Sequence, residues 1–268
     1  MTPEFLKMLA AYGELYAARF HTLEKSTLEE LRTDWRKAFK FAIERFFYQG
    51  RRDKLSERFL KAAVETLEKS DIFTLPELTL VGDWETQLDS ELKANRVAKG
   101  GDRKMIVSLL KFCQKIEGGN LVRHSVSEIQ AGKILVHYKR LSSKESEGVF
   151  QIGPKVASLY LRDVVFKFDL EKELKFSIEE QLILRPTDTW VRQLLQGPKE
   201  ETDRQIQERL AHECSIAEVS ASLVNDGAWL IGARAHEILL QLSQKIPNLQ
   251  SLLKEIEFKD NTPEPSRE

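Results

Sequence analysis

A lysine and an aspartate, 33 residues apart, are the side chains whose surroundings best suit chemistry. Lys155 follows Gly153 and Pro154 in FQIGPKVASLYLRDVV, and the apolar spacing predicts a helix with the lysine in its first turn. A helix N-terminus carries about half a positive charge, so an ammonium group there is mildly destabilising. Its presence in the first turn therefore calls for a reason other than helix stability. Asp188 stands in LRPTDTWVRQLL, where an aspartate is a good N-cap for the helix that follows.

The residues before Lys155 predict a tight turn between two helices. Ile152, Gly153 and Pro154 form the turn, and the helix after it turns Val156, Ala157, Tyr160 and Val164 inward. In such a helix–hairpin–helix pattern, the backbone N–H groups at the helix start bind a phosphate without needing a charged side chain. Such a pattern would let a chain of formal net charge −1 hold DNA through a local feature.

IGPKVASLYL followed by RPTDTWVRQL resembles the helix–hairpin–helix GPD superfamily of DNA glycosylases, which includes endonuclease III and 8-oxoguanine glycosylases. The family's hairpin reads roughly Gly-hydrophobic-Gly-x-Lys-x-Ala, and the similarity covers about residues 125–235. The resemblance implies that Lys155 is the nucleophile and Asp188 the essential aspartate. It also implies that the hairpin residues contact DNA, namely Gln151, Ile152, Gly153 and Pro154.

Two features depart from the family pattern. Gln151 stands where the family has its first hairpin glycine, which makes the turn less permissive. The gap between Lys155 and Asp188 is longer than in the better-known branches; the polar insert at 167–182 accounts for it, and archaeal-type 8-oxoguanine glycosylases share a long gap. Two cysteines are too few for the iron–sulfur cluster of the endonuclease III branch, so no cofactor and no metal are expected.

The chemistry of Lys155 depends on its protonation state. A lysine that attacks a sugar carbon must be neutral, and lowering its pKa from about 10.4 to near 7 takes about 4 kcal/mol. A helix dipole supplies only about 0.3–1 kcal/mol, whereas burial lowers a lysine pKa by up to about 3–5 units. Desolvation by bound DNA is therefore expected to neutralise Lys155. The carboxylate of Asp188 would favour the ammonium form, so its expected role is to stabilise positive charge on the sugar.

These expectations define a bifunctional DNA glycosylase/AP lyase of base-excision repair. The expected partner is double-stranded DNA with a damaged base or an abasic site, 8-oxoguanine being the first substrate considered. One alternative is a non-catalytic helix–hairpin–helix module that grips DNA, with Lys155 as a phosphate clamp and Asp188 only as a helix cap. A second is an all-α protein–protein scaffold in which Lys155 simply faces solvent.

Basic residues elsewhere are candidate phosphate contacts or simply solvated surface. They lie after the predicted helix of 28–49 and around Gly100-Gly101: Arg51, Arg52, Arg103 and Lys104.

Composition favours a cytoplasmic protein, nucleoid-associated if the source is a prokaryote. The chain is 41% apolar and 31% charged, without a long apolar run or a secretory signal, so no membrane partner is expected. Cys113 and Cys214 are expected to be buried in a reducing compartment. We also expect a monomer.

Helical periodicity predicts the all-α class. The resemblance implies a two-lobed, glycosylase-like fold with a DNA-binding cleft between the lobes. Capping boxes are predicted at 26–29 (STLE) and 125–128 (SVSE), the second opening a helix to about Tyr138. Arg162 and Asp163 are expected to form a local ion pair. The predicted parts are a discontinuous lobe of 1–34 with 186–262, a helical barrel of 35–165, an inserted connection of 166–185, and a disordered tail of 263–268.

Overall fold

The computed structural model describes residues 1–20, 26–47, 53–97, 99–143, 148–187, 191, 192, 194 and 201–234. All regular secondary structure in these residues is helical, which confirms the predicted all-α class. The helices are α1 (Pro3–Phe20), α2 (Leu28–Thr33), α3 (Trp35–Phe47), α4 (Asp53–Lys69), α5 (Asp71–Thr74), α6 (Trp84–Ala94), α7 (Gly100–Gln114), α8 (Leu121–Gln130), α9 (Ile134–Leu141), α10 (Pro154–Lys167), α11 (Leu170–Glu173), α12 (Ile178–Leu184), α13 (Asp203–Ala217) and α14 (Ala221–Arg234), with a 3-10 turn at Glu117–Gly119.

The chain divides into two compact units. A discontinuous unit comprises Met1–Thr22 and Arg185–Glu268, and a continuous unit comprises Leu23–Leu184. These limits differ from the predicted ones at two places. Helix α2 belongs to the continuous unit because Leu31 is fully buried there. Residues 166–184, predicted as an inserted connection, also belong to it, since Leu170 and Leu184 lie in its core.

The discontinuous unit is built on the packing of α1 against α14. Leu9 of α1 and Val224 of α14 are fully buried in its core. Two glycines allow the helix backbones to approach closely. A Cβ on Gly13 would overlap the carbonyl oxygen of Leu223, and a Cβ on Gly227 would overlap the carbonyl oxygen of Leu9. Any side chain at either glycine would therefore push α1 and α14 apart.

The continuous unit surrounds α10 with helices α3, α8, α9 and α12. Tyr160, near the middle of α10, is fully buried, and its ring lies 5.3 Å from the ring of Phe46 and 6.2 Å from that of Phe41. Val156, Ala157 and Val164 face the same core, as the apolar spacing predicted. This packing fixes the axis of α10 and, with it, the position of the turn at its start.

Both predicted capping boxes differ from the observed helix starts. The first is shifted by one residue, because Thr27 is the N-cap of α2 and exchanges hydrogen bonds with Glu30. The second is wrong. Helix α8 begins five residues earlier, at Leu121, and its N-cap is Asn120, whose Oδ1 accepts a hydrogen bond from Arg123 N. Helix α8 also ends before α9 begins, at a turn that contains Gly132 in the left-handed region (φ 69°).

Candidate nucleic-acid interface

The turn that precedes α10 has an inner and an outer side. Val149 and Ile152 are buried in the core of the continuous unit, whereas Phe150 and Gln151 are exposed. Backbone hydrogen bonds close the turn: Val149 N donates to Leu141 O, Ile152 N to Val149 O at 3.0 Å, and Gly153 N to Gln151 O at 3.1 Å. The two buried side chains anchor the turn, and the two exposed ones form its tip.

Gln151 adopts the left-handed conformation, with φ 62°. For an L-residue other than glycine this region costs about 1–2 kcal/mol, because Cβ approaches the carbonyl oxygen. The sequence placed Gln151 at the first glycine of the family's hairpin. The turn therefore retains the glycine-type backbone conformation at this position although the residue is glutamine.

Helix α10 begins directly after this turn. Gly153 is its N-cap in an extended conformation (φ −81°, ψ 175°), and Pro154 occupies the first helical position, where no N–H is needed. The amides of Val156 and Ala157 both donate to Gly153 O at 3.1 Å. Lys155 is the second helical residue and is exposed. The sequence thus predicted the start of α10 and the place of Lys155 in its first turn.

The N-terminal half of α7 lies beside the tip of the turn. Phe150 N donates a hydrogen bond to Ser108 Oγ at 2.8 Å. A Cβ placed on Gly101 would stand 2.5 Å from Gln151 Nε2 and 2.8 Å from Gln151 Oε1, so the glutamine amide lies over that glycine. The tip is therefore held against α7 by one backbone hydrogen bond and by the Gln151 side chain.

Lys104 and Phe150 form a cation–aromatic pair at this border. Lys104 is exposed, and its Nζ lies 6.0 Å from the centre of the Phe150 ring, itself 45% exposed. Lys99, the residue before α7, is also exposed. In the described part of the chain neither Lys99 nor Lys104 forms an ion pair. Neither Phe150 nor Ser108 was predicted as a site residue, and the one sequence signal for them is an aromatic residue immediately before the hairpin motif.

Of the four cations predicted as phosphate contacts, Arg103 is engaged within the protein. Its Nε donates to Asp89 Oδ1 at 2.9 Å and its Nη1 donates to Val97 O at 3.0 Å. A phosphate would have to displace these partners, so the geometry assigns Arg103 to the packing of α7 on α6. Lys104 remains available to a ligand. Arg51 and Arg52 lie outside the described residues.

Asp188 also lies outside the described residues, but residues on both sides of it are described, in the discontinuous unit. Thr187 Oγ1 accepts a hydrogen bond at 2.8 Å from Nε2 of Gln207, which is buried. Three residues after Asp188, Val191 is fully buried in the core of that unit. Thr187 and Val191, which flank the predicted aspartate in sequence, are therefore both fixed in that unit.

The ion pair predicted between Arg162 and Asp163 is confirmed and has a third member. Arg162 Nη2 lies 3.0 Å from Asp163 Oδ1, and Arg45 Nε of α3 donates to Asp163 Oδ2 at 3.1 Å. All three side chains are buried. Arg45 also pairs with Glu44 at 2.9 Å and lies over the ring of Phe41. The cluster ties α10 to α3 within the core.

A second buried polar cluster contains residue types that could do chemistry. Ser125 Oγ lies 2.8 Å from His137 Nε2 and 3.0 Å from the hydroxyl of Tyr160, and all three side chains are buried. Burial, with smaller contributions from His124 and Arg140, lowers the pKa of His137 to about 3. Because all three side chains are buried, the serine, the neutral histidine and the tyrosine join α8, α9 and α10 within the core.

The remaining expectations about sites concern metals, cysteines and membranes. Cys113 and Cys214 are both free and buried, as predicted. Within the described residues, no group of three His, Cys, Asp or Glu side chains is arranged to hold a metal ion. Among the described helices, none is both long enough and apolar enough to cross a bilayer. Comparison with protein-family models, with curated proteins and with solved structures finds no match for this chain.

Proposed function

We propose that this protein is a bifunctional DNA glycosylase/AP lyase of base-excision repair, with Lys155 as its nucleophile. The observation that carries the proposal is the position of Lys155. It is exposed at the second residue of α10, directly after a tight turn in which Gln151 is held in a left-handed conformation. Backbone strain of this kind persists where the surroundings enforce it, and it is concentrated at functional sites.

In the proposed reaction, the damaged nucleotide is first everted from the duplex, at a cost of a few kcal/mol that is least for a damaged pair. Neutral Lys155 Nζ then attacks C1′ of the sugar while the C1′–N bond to the base breaks. The base leaves with the bonding electrons and is protonated. Loss of a proton from Nζ and opening of the sugar ring give a Schiff base between Nζ and C1′.

The Schiff base accounts for the proposed lyase step. It acidifies the hydrogens on C2′, and removal of one of them breaks the C3′–O bond, so that the 3′ phosphate departs and the strand is cut. Asp188 is proposed to stabilise the positive charge that develops on the sugar as the base leaves. We propose an oxidised purine, 8-oxoguanine first, as the substrate, because the long gap between Lys155 and Asp188 and the low cysteine count favour that branch of the resemblance.

The exposure of Lys155 in the free protein fits the energetic argument made from the sequence. Because its side chain is exposed, Lys155 reaches the desolvated surroundings that favour a neutral amine only when the DNA itself covers it. Lys155 would then become reactive only when an everted nucleotide covers it. The same exposure also favours a second candidate, a non-catalytic module in which Lys155 clamps a phosphate.

Covalent trapping distinguishes the two functions. The protein is incubated with duplex DNA containing one abasic site and with sodium borohydride, which reduces a Schiff base to a stable adduct. The wild-type protein is expected to form an adduct, and Lys155→Gln is expected to reduce its yield at least about 100-fold, because an amide is not an amine nucleophile. Lys133→Gln is the matched control, since Lys133 is also exposed and stands immediately before a helix of the same unit.

Each result has a distinct meaning. Undiminished trapping by Lys155→Gln refutes Lys155 as the nucleophile. DNA binding by the wild-type protein without any trapping supports the non-catalytic module. A panel of single-lesion duplexes in the same assay then identifies the base that is removed.

A further inference from the structure

The tip of the turn carries an arrangement that the proposed reaction does not use. Phe150 is 45% exposed although large aromatic side chains are usually buried, and Lys104 Nζ approaches its ring to 6.0 Å. The backbone that carries the ring is also held in place. Phe150 N is bonded to Ser108 Oγ, and Val149 and Ile152 fix the turn on either side from within the core.

Exposed lysines lie on the segments that border the turn. Lys99 and Lys104 are exposed and form no ion pair within the described residues, and Lys155 is exposed on the neighbouring helix start. Two acidic side chains on α6 and α7 are engaged within the protein. Asp89 is paired with Arg103, and Asp102 is buried. An exposed aromatic ring among such lysines is the combination by which proteins bind unpaired nucleic acid: bases stack on the ring and phosphates meet the cations.

We infer that Phe150 at the tip of the turn and Lys104 beside it bind unpaired DNA, a nucleobase stacking on Phe150 and an adjacent phosphate lying at Lys104. The inference rests on the proposed function in that DNA is the partner, but it requires no chemistry at Lys155. It gives the tip a role in holding a strand whose bases are exposed, as they are beside an everted nucleotide.

Fluorescence anisotropy with a labelled 15-nucleotide single strand, free of damaged bases and abasic sites, tests the inference. Phe150→Ala is expected to weaken binding about 5-fold or more, as loss of one stacked base does. Phe166→Ala is the matched control because Phe166 is also 45% exposed, on α10 of the same unit, and it should change affinity less than about 2-fold. Phe150→Trp should retain affinity, with indole fluorescence quenched by the bound base.

Charge is tested separately on α7. Lys104→Gln should reduce the slope of log affinity against log salt by about 0.7, the value for one phosphate contact on a single strand. Lys111→Gln, on the same helix, should leave the slope unchanged because Lys111 is already paired with Glu85. Circular dichroism of each variant checks that it is folded.

Equal affinities of Phe150→Ala and Phe166→Ala would overturn the inference, and so would absence of binding by the wild-type protein. Failure of the trapping experiment would not overturn it, because these strands contain no site at which Lys155 reacts. Conversely, normal trapping by a protein whose affinity does not depend on Phe150 would leave the proposed function standing and remove this inference alone.

Discussion

Arg45 Nε of α3 donates a hydrogen bond to Asp163 Oδ2 of α10 at 3.1 Å, although the two residues are 118 positions apart in sequence. Both side chains are buried, and Arg162 binds the other oxygen of the same carboxylate. Because Asp163 lies on α10, this cluster holds the helix that presents Lys155. One carboxylate thus serves two guanidinium groups in the core.

Asp163→Asn is predicted to lower the free energy of unfolding by about 3 kcal/mol, since removing one partner of a buried ion pair leaves the opposite charge uncompensated. The expected loss lies at the lower end of the usual range because Arg45 still pairs with Glu44 in the variant. Asp169→Asn is the control: its pair with Lys172 is largely exposed and contributes about 0–1 kcal/mol. Urea denaturation of both variants measures the difference, and equal midpoints would contradict the prediction.

The left-handed Gln151 predicts opposite effects for two substitutions. Gln151→Gly should leave the free energy of unfolding unchanged or raise it by up to about 1 kcal/mol, because relief of the backbone strain exceeds the added entropy of the unfolded chain. Gln151→Val should lower it by about 1–2 kcal/mol, since a β-branched residue tolerates this region poorly. Thermal unfolding ranks the variants, and a valine variant more stable than the glycine variant would disprove the assigned conformation.

Burial of His137 predicts sensitivity to acid. The unfolded chain binds a proton at this histidine below about pH 6.5, whereas the folded protein, in which burial lowers the pKa of His137 to about 3, does not. The unfolded state therefore binds more protons in this range. Titration of His137 therefore leaves the free energy of unfolding unchanged above about pH 6.5 and lowers it by about 2 kcal/mol between there and pH 5.

The measurement is urea denaturation of the wild-type protein and of His137→Gln at pH 7.5 and pH 5. The variant is expected to be less stable at pH 7.5, because Ser125 loses a partner, and to lose about 2 kcal/mol less than the wild type on acidification. Other titrating groups are common to both proteins and cancel in this comparison. An identical loss in both would show that His137 is protonated in the folded state.

Local sequence was sufficient for features that depend on neighbours in the chain. Gly153 and Pro154 predicted the start of α10, and the apolar spacing placed Val156 and Tyr160 in the core. The pair of Arg162 and Asp163 was also predictable, because adjacent charges on a mainly apolar helix must neutralise each other when the helix is buried. The SVSE pattern misled, because Ser125 bonds Leu121 O within α8 and is buried against His137 and Tyr160.

Arg103 and Lys104 show where local information ends. They are adjacent cations, and from residue type and position each was equally expected at a phosphate. Of the two, Arg103 is the one that pairs with Asp89 of α6, and Lys104 is the one that lies beside Phe150, more than 40 residues away. Which cation is engaged and which is available depends on the packing of α6, α7 and the turn.

The amino-acid sequence by itself determined the all-helical class, the position of Lys155 in the first turn of α10 and the apolar face that buries that helix, because all three follow from residue types at helical spacing. Only the tertiary structure decided that Arg45 completes the cluster on Asp163 and that Phe150 stands exposed beside Lys104. These contacts join distant segments, and their energies exist only when the chain has brought those segments together.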